Sequence, residues 1–167
     1  CPNEKISILN YNSNLIESHK KNYYDFYSDN EINKRIVRLG LKKNEKFFFY
    51  PAQFWPHKNH KYLIDTATIL SKKKLDFKFI FCGSKKNNFQ YIYTLLKNNN
   101  FEKNIQIFDY LKDDEVISLY VKSSAILIPT YVGRSSLPLI ESFYFKKNIF
   151  YSRGILDQEI EKFVNSF

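Results

Sequence analysis

The sequence predicts a doubly wound, Rossmann-like α/β domain, in which helices cover both faces of a parallel sheet. Short apolar runs recur along the chain, and a stretch with apolar residues at helical spacing follows each of them. The runs are apolar at consecutive positions, which is typical of strands buried on both faces of a parallel sheet. These predicted strands are residues 47–51, 77–82, 105–108, 125–128 and 148–151.

Helical spacing of apolar residues predicts the intervening elements. Helices are expected at 14–27, from Asp29 to Gly40, around 63–70, around 89–96, from Asp113 to Tyr120, at 137–146 and at 157–163, after a first short strand at 5–9. Asp and Asn accept hydrogen bonds from the free N–H groups of a helix start. We therefore expect Asp29, Asn59 and Asp113 to begin or cap the helices that follow them.

Length and charge limit the function. The chain has 167 residues, enough for one domain with a real core but short for two, and its net charge is +9. The charge suits an anionic membrane surface or a nucleotide, but codons of an A- and T-rich genome also favour Lys, Asn, Ile, Phe and Tyr. The lysines are scattered and no nucleic-acid motif accompanies them, so we favour the compositional origin and expect no nucleic-acid partner.

Cysteine content and apolar runs indicate the compartment. Two cysteines cannot build a disulfide framework, and no apolar run approaches the roughly 20 residues of a membrane span. We expect Cys82 to be reduced and structural. A cytoplasmic protein is predicted, with peripheral contact to the inner face of the membrane left open.

Residues 126–142 are the stretch most suggestive of a binding site. A short strand leads to a sharp turn at Gly133, and Ser136 and Pro138 open a helix in the manner typical of a helix start. Unpaired N–H groups at the positive end of a helix bind anions, phosphates above all. Glu141 follows one turn later, where its carboxylate could accept hydrogen bonds from sugar hydroxyls. Apolar residues surround it in the predicted helix, so a buried side chain is favoured over the alternative of a plain surface glutamate.

Two further segments fall at the same edge of the predicted sheet, where doubly wound domains bind ligands. Lys58 precedes the helix expected at His60, where the helix dipole does not favour a cation, so an incoming anion explains it better than a solvated lysine does. Gly83 follows a strand directly, which allows either a tight turn or the close approach of a ligand.

Other chemistries are disfavoured. His57 and His60 are three residues apart without a nearby Cys or Glu, so we predict capping and packing rather than a metal site, and Trp55 is expected to be a packing aromatic. No Ser-His-Asp order, Cys-His pair or close carboxylate pair is evident. A dinucleotide oxidoreductase is also disfavoured, because no G-x-G-x-x-G follows the first strand.

The segment from Thr130 to Glu141 resembles the donor-binding motif of the retaining glycosyltransferases of family 4 (group 1), which have the GT-B fold. Their usual motif has two glutamates with seven residues between them; the second matches Glu141 and the first matches Gly133. The sequence therefore resembles a branch in which Gly stands at the first position. The resemblance implies transfer of a sugar from a UDP- or GDP-type donor, with retention and without a metal or cofactor.

The resemblance also implies roles for individual residues. Lys58 matches the Lys of the family's phosphate-binding Arg/Lys element, whereas Gln53 stands where the Arg is usual. The implied catalytic residues are Lys58, which stabilises the diphosphate leaving group, and Glu141, which binds the ribose hydroxyls. The other implied donor-binding residues are Gln53, His57, Gly83, Tyr110, Leu111, Gly133, Ser135, Ser136 and Leu137. Backbone groups around Tyr110 and Leu111 would read the base, which leaves UDP and GDP undecided.

The domain prediction follows from this match. Residues 1–40 are expected to be an interdomain segment with leading helices, and residues 41–167 a nucleotide-sugar-binding domain truncated before the family's closing helices. The acceptor domain, for a glycan or lipid-linked acceptor, is expected in a missing N-terminal half or a partner chain. We therefore predict weak nucleotide binding and no sugar transfer by this chain alone. A non-catalytic Rossmann-like module that docks on a membrane or partner subunit through its basic surface is the alternative.

Overall fold

The chain forms a parallel sheet of five strands in the order β3-β2-β1-β4-β5. This is a computed structural model that describes residues 27–132 and 137–152. The predictions for the strand at 5–9, most of the helix at 14–27 and the helix at 157–163 lie outside the described residues. Within the described ranges, every predicted strand and helix is present.

The element bounds differ from the predicted ones by a few residues. The elements are α1 (Asp29–Arg38), β1 (Phe48–Pro51), a 3-10 helix (Pro56–Lys58), α2 (His60–Lys72), β2 (Phe79–Cys82), α3 (Phe89–Asn98), β3 (Ile105–Phe108), α4 (Asp113–Lys122), β4 (Ala125–Ile128), α5 (Leu137–Tyr144) and β5 (Ile149–Tyr151). The predicted fold class, a Rossmann-like α/β domain, is confirmed.

The order of the strands creates a switch point between β1 and β4. The chain runs outwards from β1 through β2 to β3, and then returns to pair β4 with the other side of β1. Phe48 of β1 is accordingly in register with Phe79 on one side and Ala125 on the other. The loops after β1 and β4 diverge from this point, so a crevice is expected outside the carboxyl ends of these two strands.

Each face of the sheet has its own core. On one face, Phe49 is buried with apolar residues of α1, α4 and α5, among them Ile36 and Ile117. On the other face, the neighbouring Tyr50 is buried with residues of α2 and α3, among them Ile64 and Ile92. Burial on both faces explains why the strands are apolar at consecutive positions.

α1 begins at Asp29, as predicted. Ser28 is the N-cap: its hydroxyl accepts a hydrogen bond from the Glu31 backbone N–H at 3.3 Å. The Glu31 carboxylate in turn accepts from the Ser28 N–H at 2.9 Å, which completes a capping box. Asp29 is the first helical residue, where its charge favours the helix dipole.

The prediction that Asp113 caps α4 is wrong. Asp113 is the first residue of the helix, and Lys112 occupies the N-cap position. The Glu115 carboxylate accepts a hydrogen bond from the Lys112 backbone N–H at 2.9 Å. In both helices a glutamate in the first turn accepts a hydrogen bond from the backbone N–H of the N-cap residue.

Cys82, at the end of β2, is a free cysteine in the core. Burial raises the pKa of its thiol to about 12, so the group stays protonated and unreactive at neutral pH.

No helix among the described residues is long and apolar enough to cross a membrane.

Candidate functional site

The loops after β1 and β4 are hydrogen-bonded to each other across the switch point. The His57 carbonyl accepts from the Tyr131 N–H at 2.8 Å and from the Thr130 hydroxyl at 3.0 Å. The buried Asn59 side chain donates to the Pro129 carbonyl at 3.0 Å. These three bonds hold the two sides of the crevice at a defined separation.

Asn59 does not act as the predicted side-chain cap of α2. It occupies the N-cap position in the left-handed conformation, at φ 56° and ψ 40°, which Asn tolerates better than most residues. Its side chain makes no capping bond because it is turned towards Pro129. The first turn of α2 contains no acidic residue either, so this helix start suits an external anion.

Lys58 lies directly before this helix start. Its backbone carbonyl accepts a hydrogen bond of 2.5 Å from the hydroxyl of the buried Tyr50, which anchors the Lys58 backbone to the core. Its side chain is half-buried, and this burial lowers the pKa of the ammonium group. No carboxylate forms an ion pair with Lys58 in ranges 27–132 and 137–152. A partly desolvated cation without a counterion favours an anionic ligand.

His60 packs in the core, as predicted. Its ring is fully buried, stacks on Phe54 with centroids 4.2 Å apart, and lies 4.8 Å from the Tyr50 ring. Burial lowers its pKa to about 3, so the ring is neutral at physiological pH. His57 contributes its backbone carbonyl to the crevice, not a cap. Among the described residues, no three His, Cys, Asp or Glu side chains form a group that could hold a metal ion.

The buried His60 ring is expected to make folding sensitive to mild acid. In the unfolded chain the ring has its ordinary pKa of about 6.5. Between this pH and the folded-state pKa, the unfolded state binds a proton that the folded state does not bind. Stability from this group is present above pH 6.5 and is lost as the pH falls towards 3. Urea unfolding should show a loss of about 2 kcal/mol from this group between pH 7.5 and pH 5. A His60→Phe variant should lack this part of the pH dependence, and an equal loss in the variant would contradict the assignment.

Gly83 brings two loops together and is not explained by a turn. A Cβ atom built on it would lie 2.6 Å from the Gln53 backbone nitrogen and closer still to the Ala52 carbonyl oxygen. Its own N–H donates to the Phe108 carbonyl at 3.0 Å. Gly83 therefore lies in close approach to the backbone of the loop after β1, and the predicted approach of a ligand stays a prediction.

Gln53 and Trp55 form a local pair. The Gln53 side-chain oxygen accepts a hydrogen bond of 2.8 Å from the Trp55 indole N–H, and the Lys86 ammonium lies 5.7 Å from the Trp55 ring centroid. Gln53 is exposed, and Trp55 is 37 % exposed and belongs to neither core. Trp55 therefore packs against neighbouring loop residues at the surface and not in the interior.

The end of β3 is only partly organised. Leu111 packs against the core, whereas Tyr110 is 84 % exposed and projects from the sheet edge. The carboxylate of Asp109 accepts a hydrogen bond from the Lys85 backbone N–H at 3.1 Å and ties this end to the loop after β2. Asp109 was not predicted as a site residue.

Glu141 is buried in α5, so the alternative of a plain surface glutamate is excluded. The side chain is 8 % exposed, and its Oε2 accepts a hydrogen bond of 2.6 Å from the hydroxyl of Tyr120 in α4. Leu137 begins α5 and is exposed, with Pro138 in the first turn as predicted. Tyr120 was not identified as a functional candidate, because a Tyr in an apolar helical stripe is indistinguishable from a core residue. The predicted site residues Gly133, Ser135 and Ser136 lie outside the described residues.

A groove of about 990 Å³ lies beside this site in the described part of the chain. It runs along one face of the sheet, over Phe48, Leu127 and Phe150, and reaches the crevice only at Asn59 and the 129–131 segment. The connections from β3 to β4 and from β4 to β5 place α4 and α5 on the other face, so neither of these two helices covers the groove. The groove is mostly apolar, so it does not replace the crevice as the anion-binding candidate.

Solved structures similar to this chain include glycosyltransferases. The chain has 22% identity to a glycosyltransferase from Rickettsia africae ESF-5 (TM-score 0.68), covering 82% of this chain and 36% of that one. It has 15% identity to WaaG, a glycosyltransferase involved in lipopolysaccharide biosynthesis (TM-score 0.69), covering 85% and 38%. It has 14% identity to Alr3699/HepE of Anabaena in complex with UDP (TM-score 0.67), covering 81% and 36%. The chain thus spans little more than a third of the length of these structures.

The curated proteins contain no match to this chain. A family model, in contrast, matches residues 31–162, which include the whole described sheet, the Lys58 loop and Glu141. The fold and the family match agree with each other, and the sheet is that of a GT-B glycosyltransferase domain. The chain belongs to the family of glycosyl transferases group 1.

Proposed function

We propose that this chain is the donor-binding domain of a retaining, family 4 glycosyltransferase that uses a nucleoside-diphosphate sugar. The observation that carries the proposal is Lys58, half-buried and without a counterion among the described residues, at an uncapped helix start in the switch-point crevice. A diphosphate supplies the charge that this arrangement lacks. Structures of Alr3699/HepE with UDP and with UDP-glucose show that a protein of this fold binds such a ligand.

In this proposal, the two sides of the crevice have separate tasks. On the β1 side, Lys58 and the N terminus of α2 neutralise the diphosphate as negative charge develops on the leaving group. This substitutes for a metal ion, which the proposed reaction does not require. On the β4 side, Glu141 accepts hydrogen bonds from the ribose hydroxyls. Gly133 in place of the family's first glutamate leaves the contacts to the transferred sugar to other groups.

The acceptor is assigned to a part of the enzyme beyond this chain. Because the chain spans little more than a third of the similar structures, we propose that a second domain, on the same chain or on a partner, forms the opposite wall of the cleft. A glycan or lipid-linked acceptor in cell-surface polysaccharide synthesis suits this class of enzyme. The chain by itself is then expected to bind nucleotide weakly and to transfer no sugar.

Calorimetric titration of the chain with UDP, GDP and their sugar conjugates tests the proposal. We expect one base type to bind, with and without EDTA, and Lys58→Ala to weaken binding by about ten- to a hundredfold, since a hydrogen bond to a charged group contributes about 1.5–3 kcal/mol. Lys72→Ala is the matched control, because it removes the same charge from the exposed far end of α2.

Two outcomes contradict the proposal. One is equal affinity in the Lys58→Ala and Lys72→Ala variants. The other is the absence of binding to either nucleotide at millimolar concentration. If the non-binding chain also sediments with anionic lipid vesicles after Lys58→Ala, the alternative of a docking module is correct.

A further inference from the structure

Two buried tyrosine hydroxyls support the proposed site from opposite faces of the sheet. Tyr50, in the core beneath α2 and α3, donates to the Lys58 carbonyl. Tyr120 belongs to α4 and lies in the core that α1, α4 and α5 form on the other face; its hydroxyl donates to the Glu141 carboxylate. The first bond reaches a backbone atom, whereas the second reaches the functional group itself. This difference makes Tyr120 the more informative residue.

The position of the Tyr120 hydroxyl is fixed by packing. The side chain is fully buried, with the Phe49 ring edge-on at 5.2 Å and the Phe145 ring stacked at 5.0 Å. Burial, reinforced by the neighbouring Glu141, raises the pKa of Tyr120 well above its ordinary value. The hydroxyl therefore keeps its proton and serves as a donor at all physiological pH values.

The bond from Tyr120 to Glu141 is of the strong, charge-assisted kind. Its length of 2.6 Å lies in the range typical of a hydroxyl that donates to a carboxylate. A glutamate side chain has several rotatable bonds, and ordering it when a ligand binds costs free energy. Because the Tyr120 hydroxyl orders the Glu141 side chain when the protein folds, ligand binding no longer carries this free-energy cost. The carboxylate can still accept further hydrogen bonds.

We infer that Tyr120 is a positioning residue that orients the Glu141 carboxylate towards the ribose diol, and so sets the preference for ribonucleotides over deoxyribonucleotides. The inference rests on the proposed function, because it requires that Glu141 binds ribose. Tyr120 itself does not touch the ligand, being wholly enclosed in the core. Its effect reaches the nucleotide through the orientation of one carboxylate.

The test compares the affinity of the chain for a nucleoside diphosphate with that for its 2′,3′-dideoxy analogue. UDP or GDP is used, whichever binds more tightly. The wild type is expected to prefer the ribonucleotide by about a hundredfold or more, since two hydrogen bonds to a charged group are lost with the hydroxyls. Tyr120→Phe should reduce this ratio by about fivefold or more and change the affinity for the dideoxy analogue less than about twofold.

Tyr50→Phe is the matched control for this experiment. It also removes one buried hydroxyl from a core tyrosine, but that hydroxyl bonds to the backbone on the phosphate side. We expect Tyr50→Phe to affect both nucleotides equally, so that the ratio stays at the wild-type value. Thermal unfolding and circular dichroism show whether each variant is folded.

The outcomes separate the inference from the function on which it rests. A folded Tyr120→Phe variant with the wild-type ratio overturns the role of Tyr120 and leaves nucleotide binding intact. A wild type that binds neither nucleotide overturns the proposed function itself. If Tyr120→Phe does not fold, the hydroxyl proton of Tyr120 in wild-type NMR spectra decides: its resonance must shift with the ribonucleotide and not with the dideoxy analogue, and equal shifts overturn the inference.

Discussion

Replacement of Glu141 by Ala is expected to abolish measurable nucleotide binding, the largest effect of any single substitution in the site. The change removes the proposed ribose acceptor and leaves the Tyr120 hydroxyl, which is fully buried, without its acceptor at 2.6 Å. Two hydrogen bonds to a charged group contribute about 1.5–3 kcal/mol each, so a loss of about a hundredfold or more follows. Calorimetric titration against the nucleotide that the wild type binds measures it.

Stability must be measured on the same variant. An unsatisfied buried hydroxyl costs about 1–3 kcal/mol, so Glu141→Ala should also unfold at a lower urea concentration. Glu141→Gln keeps an acceptor for Tyr120 and is expected to recover most of that stability without recovering the affinity. Glu102→Ala, at an exposed position, controls for the change in net charge. Wild-type affinity in a folded Glu141→Ala variant would falsify the assignment of Glu141.

Gly83→Ala is expected to be the most destabilising addition of a single methyl group in the described part of the chain. The added Cβ would lie 2.5 Å from the Ala52 carbonyl carbon and 2.6 Å from the Gln53 nitrogen, and backbone atoms cannot rotate away as a side chain can. Either the end of β2 or the loop after β1 must move. Such overpacking costs about 1–3 kcal/mol, a decrease in melting temperature of about 2–10 °C.

The same substitution should also weaken nucleotide binding, because the displaced loop after β1 carries Lys58. Ser84→Ala, one residue further on, is the matched control: it alters the adjacent position without adding bulk at the contact. Urea unfolding and calorimetric titration of both variants provide the two measurements. A Gly83→Ala variant as stable as Ser84→Ala would show that the two loops can separate at no cost.

Much of the site could be predicted because its chemistry is local. Lys58 before a helix start, and Glu141 one turn into another, were identified from their places relative to predicted strands. Burial of Glu141 was also predicted, from the apolar residues around it, and the structure confirms it. These predictions need only the chain direction and the rule that parallel strands place their carboxyl ends at one edge.

The errors in helix capping share a physical cause, which is competition between hydrogen-bond partners. Asn59 was predicted to cap α2, yet its side chain binds the Pro129 carbonyl, a partner that is distant in sequence. Asp113 was predicted to cap α4, yet it is the first helical residue, and Lys112 holds the N-cap position with its backbone N–H bonded to Glu115. Residue type shows which bonds a side chain can make, and only the fold determines which partners are within reach.

The sequence by itself determined the fold class of this protein, since consecutive apolar residues in short runs require strands buried on both faces. It also predicted the edge of the sheet at which we propose that a ligand binds, and two of the groups proposed to bind it. Tertiary structure alone decided what holds those groups: Tyr50 beneath Lys58, Tyr120 beneath Glu141, and the backbone contact at Gly83. Each of these contacts joins segments that only the packing of sheet and helices brings together, and the side chains involved look like ordinary core residues in the sequence.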